Sequence, residues 1–491
     1  MKNWLIVFSL LILAMLSCQN DKNIAVIEGQ ILGKKIDSLD YTIVTNEGIY
    51  LGFRNTIPVD SSGQFNIKVP VPNGISFFTM LISREQGSLV IERGQTYKVV
   101  FDFNKDENIF TVHGLNEAGQ NYYNTLPNPP FISLSKLIKE FKPDTTAVEI
   151  AGNIDARKSK EMDKLKSLLD EKEISKSFYS FIEADRDCYY SSLTAAIAQS
   201  RCFSLFPDNI GSYQTDLKDM WSSAYIQYPP NSKEYMSTRW WLEYVENYLF
   251  FVDCMNEEFS AESYIKLYEE NRIHTHHLSI AKTHFSDDML IFYSAYYIWS
   301  SAFQEMNEKE LIALYNEFDN KFLNNIYSPF INPLIEPVRE LYRRIENEKK
   351  QSIRFVDDYL QINTLNECLD IFKGRPLFID VWATWCGPCL AEFREKEKLQ
   401  DLLKENGYEL LYISIDKDRN DDKWKTLIDE YNLSDGFHMR ANKDLFNDLI
   451  QLFGNGNTVT IPWYMIIDSN GNIAVKHAAK PSNTEELRIQ L

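Results

Sequence analysis

The sequence predicts a multidomain α+β protein: an N-terminal β-sandwich, a helical middle domain and a C-terminal α/β domain. Three observations carry this. Short β-type runs broken by turns fill residues 24–114, and charged and aromatic residues at three- and four-residue spacing fill 115–350. Residues 351–491 then alternate apolar strands with amphipathic helices. At 491 residues, 44% of them hydrophobic and 25% charged, the chain has material for roughly three domains.

In the first region IAVIEGQIL, YTIV, GQFNIKVPV, FFTMLI, SLVIE, TYKVVFDF and IFTVHG read as strands, with Asp60-Ser61-Ser62-Gly63 as a hairpin turn. Several short strands with turns between them suit a sandwich. In the second region DARKSKEMDKLKSLLDEKE and DDMLIFYSAYYIWSSAFQEMNEKELIALYNEF are the clearest helices, punctuated by Pro229-Pro230 and by Pro333 and Pro337. The charged stretch RRIENEKKQS, residues 343–352, marks the boundary to the last domain.

Composition excludes some functions. A formal charge of −19 leaves no basic face for phosphates, so no nucleic-acid partner is expected. Seven cysteines are too dilute for a disulfide-built scaffold. His274, His276, His277 and His284 lack a carboxylate framework and read as a polar interhelix loop rather than a metal site. The aromatic runs at 239–251 and 292–299 have helical spacing and read as core. Cys188, Cys202, Cys254 and Cys368 read as buried thiols, with a Cys188–Cys202 pair left open. No metal or other cofactor is expected.

The chain starts MKNWLIVFSLLILAMLSCQNDKN. Lys2 precedes an apolar run from Leu5 to Leu16, shorter than the ~20 residues a spanning helix requires. Residues 1–17 therefore read as a signal peptide. Met15-Leu16-Ser17-Cys18 resembles a bacterial lipoprotein signal, in which Cys18 becomes the lipidated first residue; the alternative is a secretory signal with an incidental cysteine. Either exports the protein to an oxidising space.

The chemistry lies in 351–491. PLFIDVWAT and YELLYISID read as buried strands, joined by a helix from Cys386 to about Asn406 that Gly407 ends. DDKWKTLIDEYNL reads as a second helix, WYMIID and NIAVKHA as a hairpin through Ser469-Asn470-Gly471, and NTEELRIQL as a closing helix. Cys386 falls at a helix start, where unpaired N–H groups favour a thiolate, and Cys389 follows one turn later on the same face. Pro388 is tolerated in that first turn. Zinc would need a second ligand pair, and the other cysteines are scattered while His438 stands alone, so redox exchange is favoured. Asp380 interrupts the apolar PLFIDVW, and Glu392 lies one turn beyond Cys389. Each reads as a proton acceptor for Cys389, held partly protonated near neutral pH by burial.

Trp385-Cys386-Gly387-Pro388-Cys389 matches the thioredoxin active-site motif, and the βαβα–ββα order is that of the thioredoxin fold. Asp380 occupies the place of thioredoxin's buried aspartate, Thr460-Ile461-Pro462 resembles the cis-proline loop, and Glu392 matches the glutamate of TlpA-like thiol-disulfide oxidoreductases. ISIDKD, FHMRANKDL, TIPWYMIID and KPSNTEEL are similar to TlpA-like lipoproteins of Bacteroidota-type envelopes, which also carry an N-terminal β domain and a helical middle. The motifs cover about a quarter of the chain. The resemblance implies that Cys386 attacks, Cys389 resolves, and Trp385, Ile461 and a cis Pro462 receive the client. It implies an exported, lipid-anchored reductase of disulfide-bearing envelope proteins, recharged by a membrane electron donor. Gly-Pro between the cysteines resembles thioredoxin, at about −270 mV, rather than the oxidant DsbA, at about −120 mV. The rival readings are a ligand- or partner-binding envelope lipoprotein with an accessory redox domain, and a disulfide oxidase or isomerase.

Overall fold

The computed structural model describes the chain from residue 23 onward, apart from residues 47, 84, 130, 143–144, 206–214, 227, 234, 256–259, 348–351 and 454–459. The leader with Cys18 lies outside the described residues, as does part of the charged stretch at 343–352. The chain forms two compact units, one reaching Tyr296 and the other spanning Tyr297–Leu491. Among the described residues no helix is long and apolar enough to cross a membrane.

The first unit holds strands β1 (Ile24–Leu32), β2 (Ser38–Val44), β3 (Ile49–Pro58), β4 (Gln64–Pro70), β5 (Ile75–Ile82), β6 (Glu85–Glu92), β7 (Thr96–Asp102) and β8 (Phe110–Gly114). They form two four-stranded sheets, β4-β1-β7-β8 and β3-β2-β5-β6. Alternation fills the space between them: Ala25, Ile27, Ile67 and Val99 from one sheet meet Leu39, Phe78, Met80 and Leu89 from the other in a single core. β3 is the strand that the sequence hides, because few of its residues are buried and its apolar residues do not alternate. The Asp60–Gly63 turn is present, with Asp60 accepting from the Ser62 and Gln64 N–H groups at 2.8 Å and Gly63 at φ 81. It is not a hairpin, because β3 and β4, which it joins, belong to different sheets.

Phe77 and Val90 on the outer face of the second sheet pack against Tyr123, Leu165, Phe178 and Ile182 of the helical layer. Side-chain amides extend this join: Gln120 bonds both the N–H (2.9 Å) and the carbonyl (2.6 Å) of Val90, as a neighbouring strand would. The histidine stretch is the helix Ile273–His284, not a loop. Its histidines bond within the protein: His276 Nε2 lies 3.0 Å from both Asp253 oxygens, and His284 Nδ1 lies 3.0 Å from the Tyr248 hydroxyl. Among the described residues no three histidine, cysteine or carboxylate side chains gather as a metal site. Trp240, Trp241, Tyr244, Phe292 and Tyr293 are core. Cys188 and Cys202 are both free and buried, so the pair that the sequence left open does not form.

The second unit carries one six-stranded sheet. Its strands are β9 (Arg354–Phe355), β10 (Leu377–Trp382), β11 (Glu409–Ser414), β12 (Phe437–Arg440), β13 (Trp463–Ile467) and β14 (Ile473–Val475). Their order is β14-β13-β10-β11-β12-β9, with β10 parallel to β11 and antiparallel to β13. All six β10 residues are buried because the sheet is covered on both faces. Ile379 and Val381 join one core with Leu445 and Leu449 of the helix Lys443–Phe453. Phe378 and Trp382 join the other with Cys386, Cys389, Trp424 and Leu487.

That second core also contains Leu341, from the helix Ser328–Asn347. The charged stretch at 343–352 is therefore not where the compact units divide. Residues 297–347 belong with the C-terminal fold, because Leu341, 1% exposed, is inserted beside Phe378 and Trp382. Pro333 and Pro337 do not interrupt this helix either. Both sit off its buried stripe of Ile331, Ile335, Val338 and Leu341, where solvent can take the carbonyls that proline leaves unbonded. Leu341→Ala should cost the second unit about 2–5 kcal/mol, the usual price of a buried leucine truncation. Urea unfolding followed by hydrogen exchange of the β10 amides checks this; unchanged β10 protection would mean that the helix is not part of that fold.

Candidate functional site

Cys386 is the N-cap of the helix Gly387–Glu392, which passes through a 3-10 turn, Phe393–Glu395, into the helix Lys396–Asn406. Gly407 ends it at φ 75. Cys386 and Cys389 are joined as a disulfide, with Cα atoms 5.2 Å apart. The Cys386 sulfur accepts the Cys389 backbone N–H at 3.2 Å. That donor, left over at the helix start, is the group that steadies a thiolate at 386 once the bond is reduced. Cys386 is 5% exposed and Cys389 1%, so the outer sulfur is far less open than its position predicts, while Trp385 is 56% exposed. The Ile461–Pro462 peptide bond is cis. Ile461 packs against the cores on both faces of the sheet.

Asp380 sits at the middle of β10, opposite Tyr412 of β11 and Tyr464 of β13. Strand alternation gives it the face of Phe378 and Trp382, the side of the core that holds both cysteines. It is 2% exposed, and its Oδ1 has no hydrogen-bond partner among the described residues. Burial pushes its carboxyl well above the usual carboxylate range, and the nearby Glu392 charge pushes it further. Asp380 thus holds its proton to higher pH than an ordinary carboxyl does.

Glu392 is differently placed from the sequence expectation. Its carboxylate accepts the Ser482 N–H at 2.8 Å and the Ser482 hydroxyl at 2.9 Å, and Lys480 lies 3.3 Å away. With both oxygens engaged, it anchors the 480–482 segment and acts on Asp380 through its field, rather than standing free to take a proton from Cys389. Sequence reasoning missed Asp416. This carboxylate, 2% exposed, accepts the Thr384 N–H and hydroxyl, both at 2.8 Å, the Ser414 hydroxyl at 2.8 Å and the Asn420 amide at 3.1 Å. It ties the turn entering the motif to the end of β11. The available signals were its place after the run YISI, where a short polar side chain often closes a strand, and its position inside the family-like stretch ISIDKD.

Residues 357–489 match the family described as Redoxin. Curated relatives include the thiol-disulfide oxidoreductase ResA of Bacillus thuringiensis, 30% identical over 102 residues, or 21% of this chain and 54% of that protein. The thiol:disulfide interchange protein DsbE of Vibrio cholerae is 35% identical over 115 residues, 22% of this chain and 52% of that protein. The chain thus spans about half the length of the curated relatives it matches. Among solved structures, the thioredoxin domain of a thiol-disulfide oxidoreductase from Bacteroides vulgatus is 25% identical, covering 25% of this chain and 79% of that one at a TM-score of 0.21. A thioredoxin-like protein from Bacteroides caccae is 17% identical, covering 50% of this chain and 94% of that one at a TM-score of 0.19. The relatives matched are thiol-disulfide oxidoreductases by name, in keeping with the resemblance of the motif.

The buried carboxyl gives the Redoxin domain a pH signature. Because the folded state holds the Asp380 proton above the ordinary carboxylate range near 3.9, stability falls as pH rises through that window. Asp380→Asn removes the loss. The variant should show a higher urea midpoint than the native chain at pH 8, with the difference vanishing toward pH 4. A native midpoint that rises from pH 4 to 8 relative to the variant would contradict the buried, protonated carboxyl.

Proposed function

We propose that this chain is an exported thiol-disulfide oxidoreductase, lipid-anchored through Cys18, that reduces disulfides of envelope proteins. The observation that carries the reading is the Cys386–Cys389 disulfide at a helix start, with the buried Asp380 on the strand face of Phe378 and Trp382 that lines the same core. Export and anchoring rest on the leader, residues 1–17, and on Cys18. We read the two sheets of the first unit as a β-sandwich with a helical layer packed on its outer face.

In the reduced enzyme the Cys386 thiolate attacks one sulfur of a client disulfide, and the other client sulfur leaves as a thiolate. Cys389 then loses its proton to the ionised fraction of Asp380, held in the same core. The Cys389 thiolate attacks the Cys386 sulfur, the second client thiolate leaves, and the proton reaches solvent. Two electrons have passed to the client, and the enzyme disulfide seen in this structure is the product. A membrane electron donor returns the pair. Ile461, beside the cis Pro462, and the exposed Trp385 offer the client an edge on which to lie.

Reduced full-length protein should cleave a fluorogenic disulfide-linked peptide. Cys386→Ser should abolish this, Cys389→Ser should trap the covalent peptide adduct, and Asp380→Asn should slow resolution about 10²-fold and flatten its rise with pH. A potential nearer −120 mV than about −270 mV would make the protein an oxidant and overturn the reducing direction.

A further inference from the structure

The segment 304–308, which follows the helix Asp287–Phe303 and precedes the helix Lys309–Lys321, belongs to the same compact unit as the dithiol. It lies on the motif itself. A Cβ at Gly387 would collide with the Gln304 backbone carbonyl, and the Met306 sulfur would stand 3.4 Å from that Cβ. Glycine between the cysteines is what lets this segment come so close. Met306 packs against the core that holds Cys386 and Cys389, and Cys386 beside it is only 5% exposed.

The segment is held by specific bonds. Glu305 and Asn307 both adopt left-handed backbone, at φ 59 and φ 54, a conformation that a glutamate adopts only when its surroundings impose it. Asn307, 2% exposed, is the anchor. Its Nδ2 donates to the Leu390 carbonyl at 2.7 Å, one turn after the nucleophile. Its Oδ1 accepts from Arg394 Nε at 2.8 Å and from a second guanidinium nitrogen, and its carbonyl accepts the Tyr342 hydroxyl at 3.0 Å. The Met306 carbonyl accepts the Tyr431 hydroxyl at 3.4 Å. These anchors are side-chain bonds and packing contacts rather than strand pairings, so the segment can lift without breaking the sheet.

We propose that the Gln304–Asn307 strap is the size filter of the dithiol. Docked, it walls the Gly387 side of Cys386, so that small or extended-chain disulfides reach the sulfur, while disulfides set in a folded surface require the strap to lift. This deepens the redox reading above and rests on it. Specificity would then be set by residues that precede the Redoxin domain, with Asn307 as the positioning residue.

The test uses the full-length chain. In a Cys389→Ser background, so that one motif thiol reports, Asn307→Ala should speed alkylation at Cys386 by a long poly(ethylene glycol) maleimide about tenfold, the effect of losing one or two net hydrogen bonds on an opening equilibrium. Iodoacetamide should change by less than about twofold, since a reagent of that size does not need the strap to lift. With the motif intact, the same substitution should speed insulin reduction but not that of oxidised glutathione. Tyr342→Phe, which removes one hydroxyl, should act in the same direction and carries the test if Asn307→Ala fails to fold. Equal acceleration of small and bulky reagents, or none, overturns the strap. Alkylation needs only a thiol, so it decides the strap even if the chain exchanges no disulfide; failure of the native protein to reduce oxidised glutathione would instead remove the reductase reading.

Discussion

A carboxyl group forced into the middle of a buried strand sets the terms for the site. β10 has both faces covered, and every other position on it is filled by an apolar or aromatic side chain. Asp380 is an unfavourable residue there, with one oxygen unpartnered among the described residues, and burial raises its hold on its proton. The same placement puts a carboxyl on the strand face that lines the core of the inner sulfur. Cys389 is 1% exposed, and the proton acceptor proposed for it is a buried acid whose proton affinity has been raised by that burial. Glu392 tunes this arrangement from a distance: fixed by Ser482 and Lys480, its charge deepens the hold of Asp380 on its proton.

Local chemistry was the legible part of the sequence. Cys386, Cys389, Pro388 and the Cys386 helix start obey short-range rules, and the strand runs around Asp380 are apolar enough to read directly. The role expected of Glu392 could not be read, because its partners are ninety residues on, in the 480–482 turn. Asp416 was hidden for the same reason, since the Thr384 N–H that it receives comes from another strand end. The histidine stretch reads as a polar loop, yet the bonds of His276, His284 and His277 to Asp253, Tyr248 and Tyr293 let it run as a packed helix.

The domain boundary shows where composition misleads. A run of charges reads as a linker because charged side chains resist burial, but a helix needs only one stripe of apolar residues to belong to a core. Ile331, Ile335, Val338 and Leu341 make that stripe, and the charged residues after them are its solvated face and end. The Redoxin match begins at 357, whereas the compact unit begins at Tyr297, so about sixty residues outside the recognisable family domain are built into its fold.

This difference decides what a thioredoxin fold can do here. The motif WCGPC carries the electron chemistry, but nothing in five residues chooses a client. Choice requires walls, and walls come from whatever packs beside the sulfur. Gly387 has no side chain with which to keep neighbours away, and the Gln304 carbonyl and Met306 occupy the space it leaves. A helical hairpin tied in through Leu341, Tyr342 and Asn307 can therefore change the reach of Cys386 without altering any residue of the motif. The chemistry of the dithiol and its selectivity thus sit on separate stretches of the chain, joined through one buried asparagine.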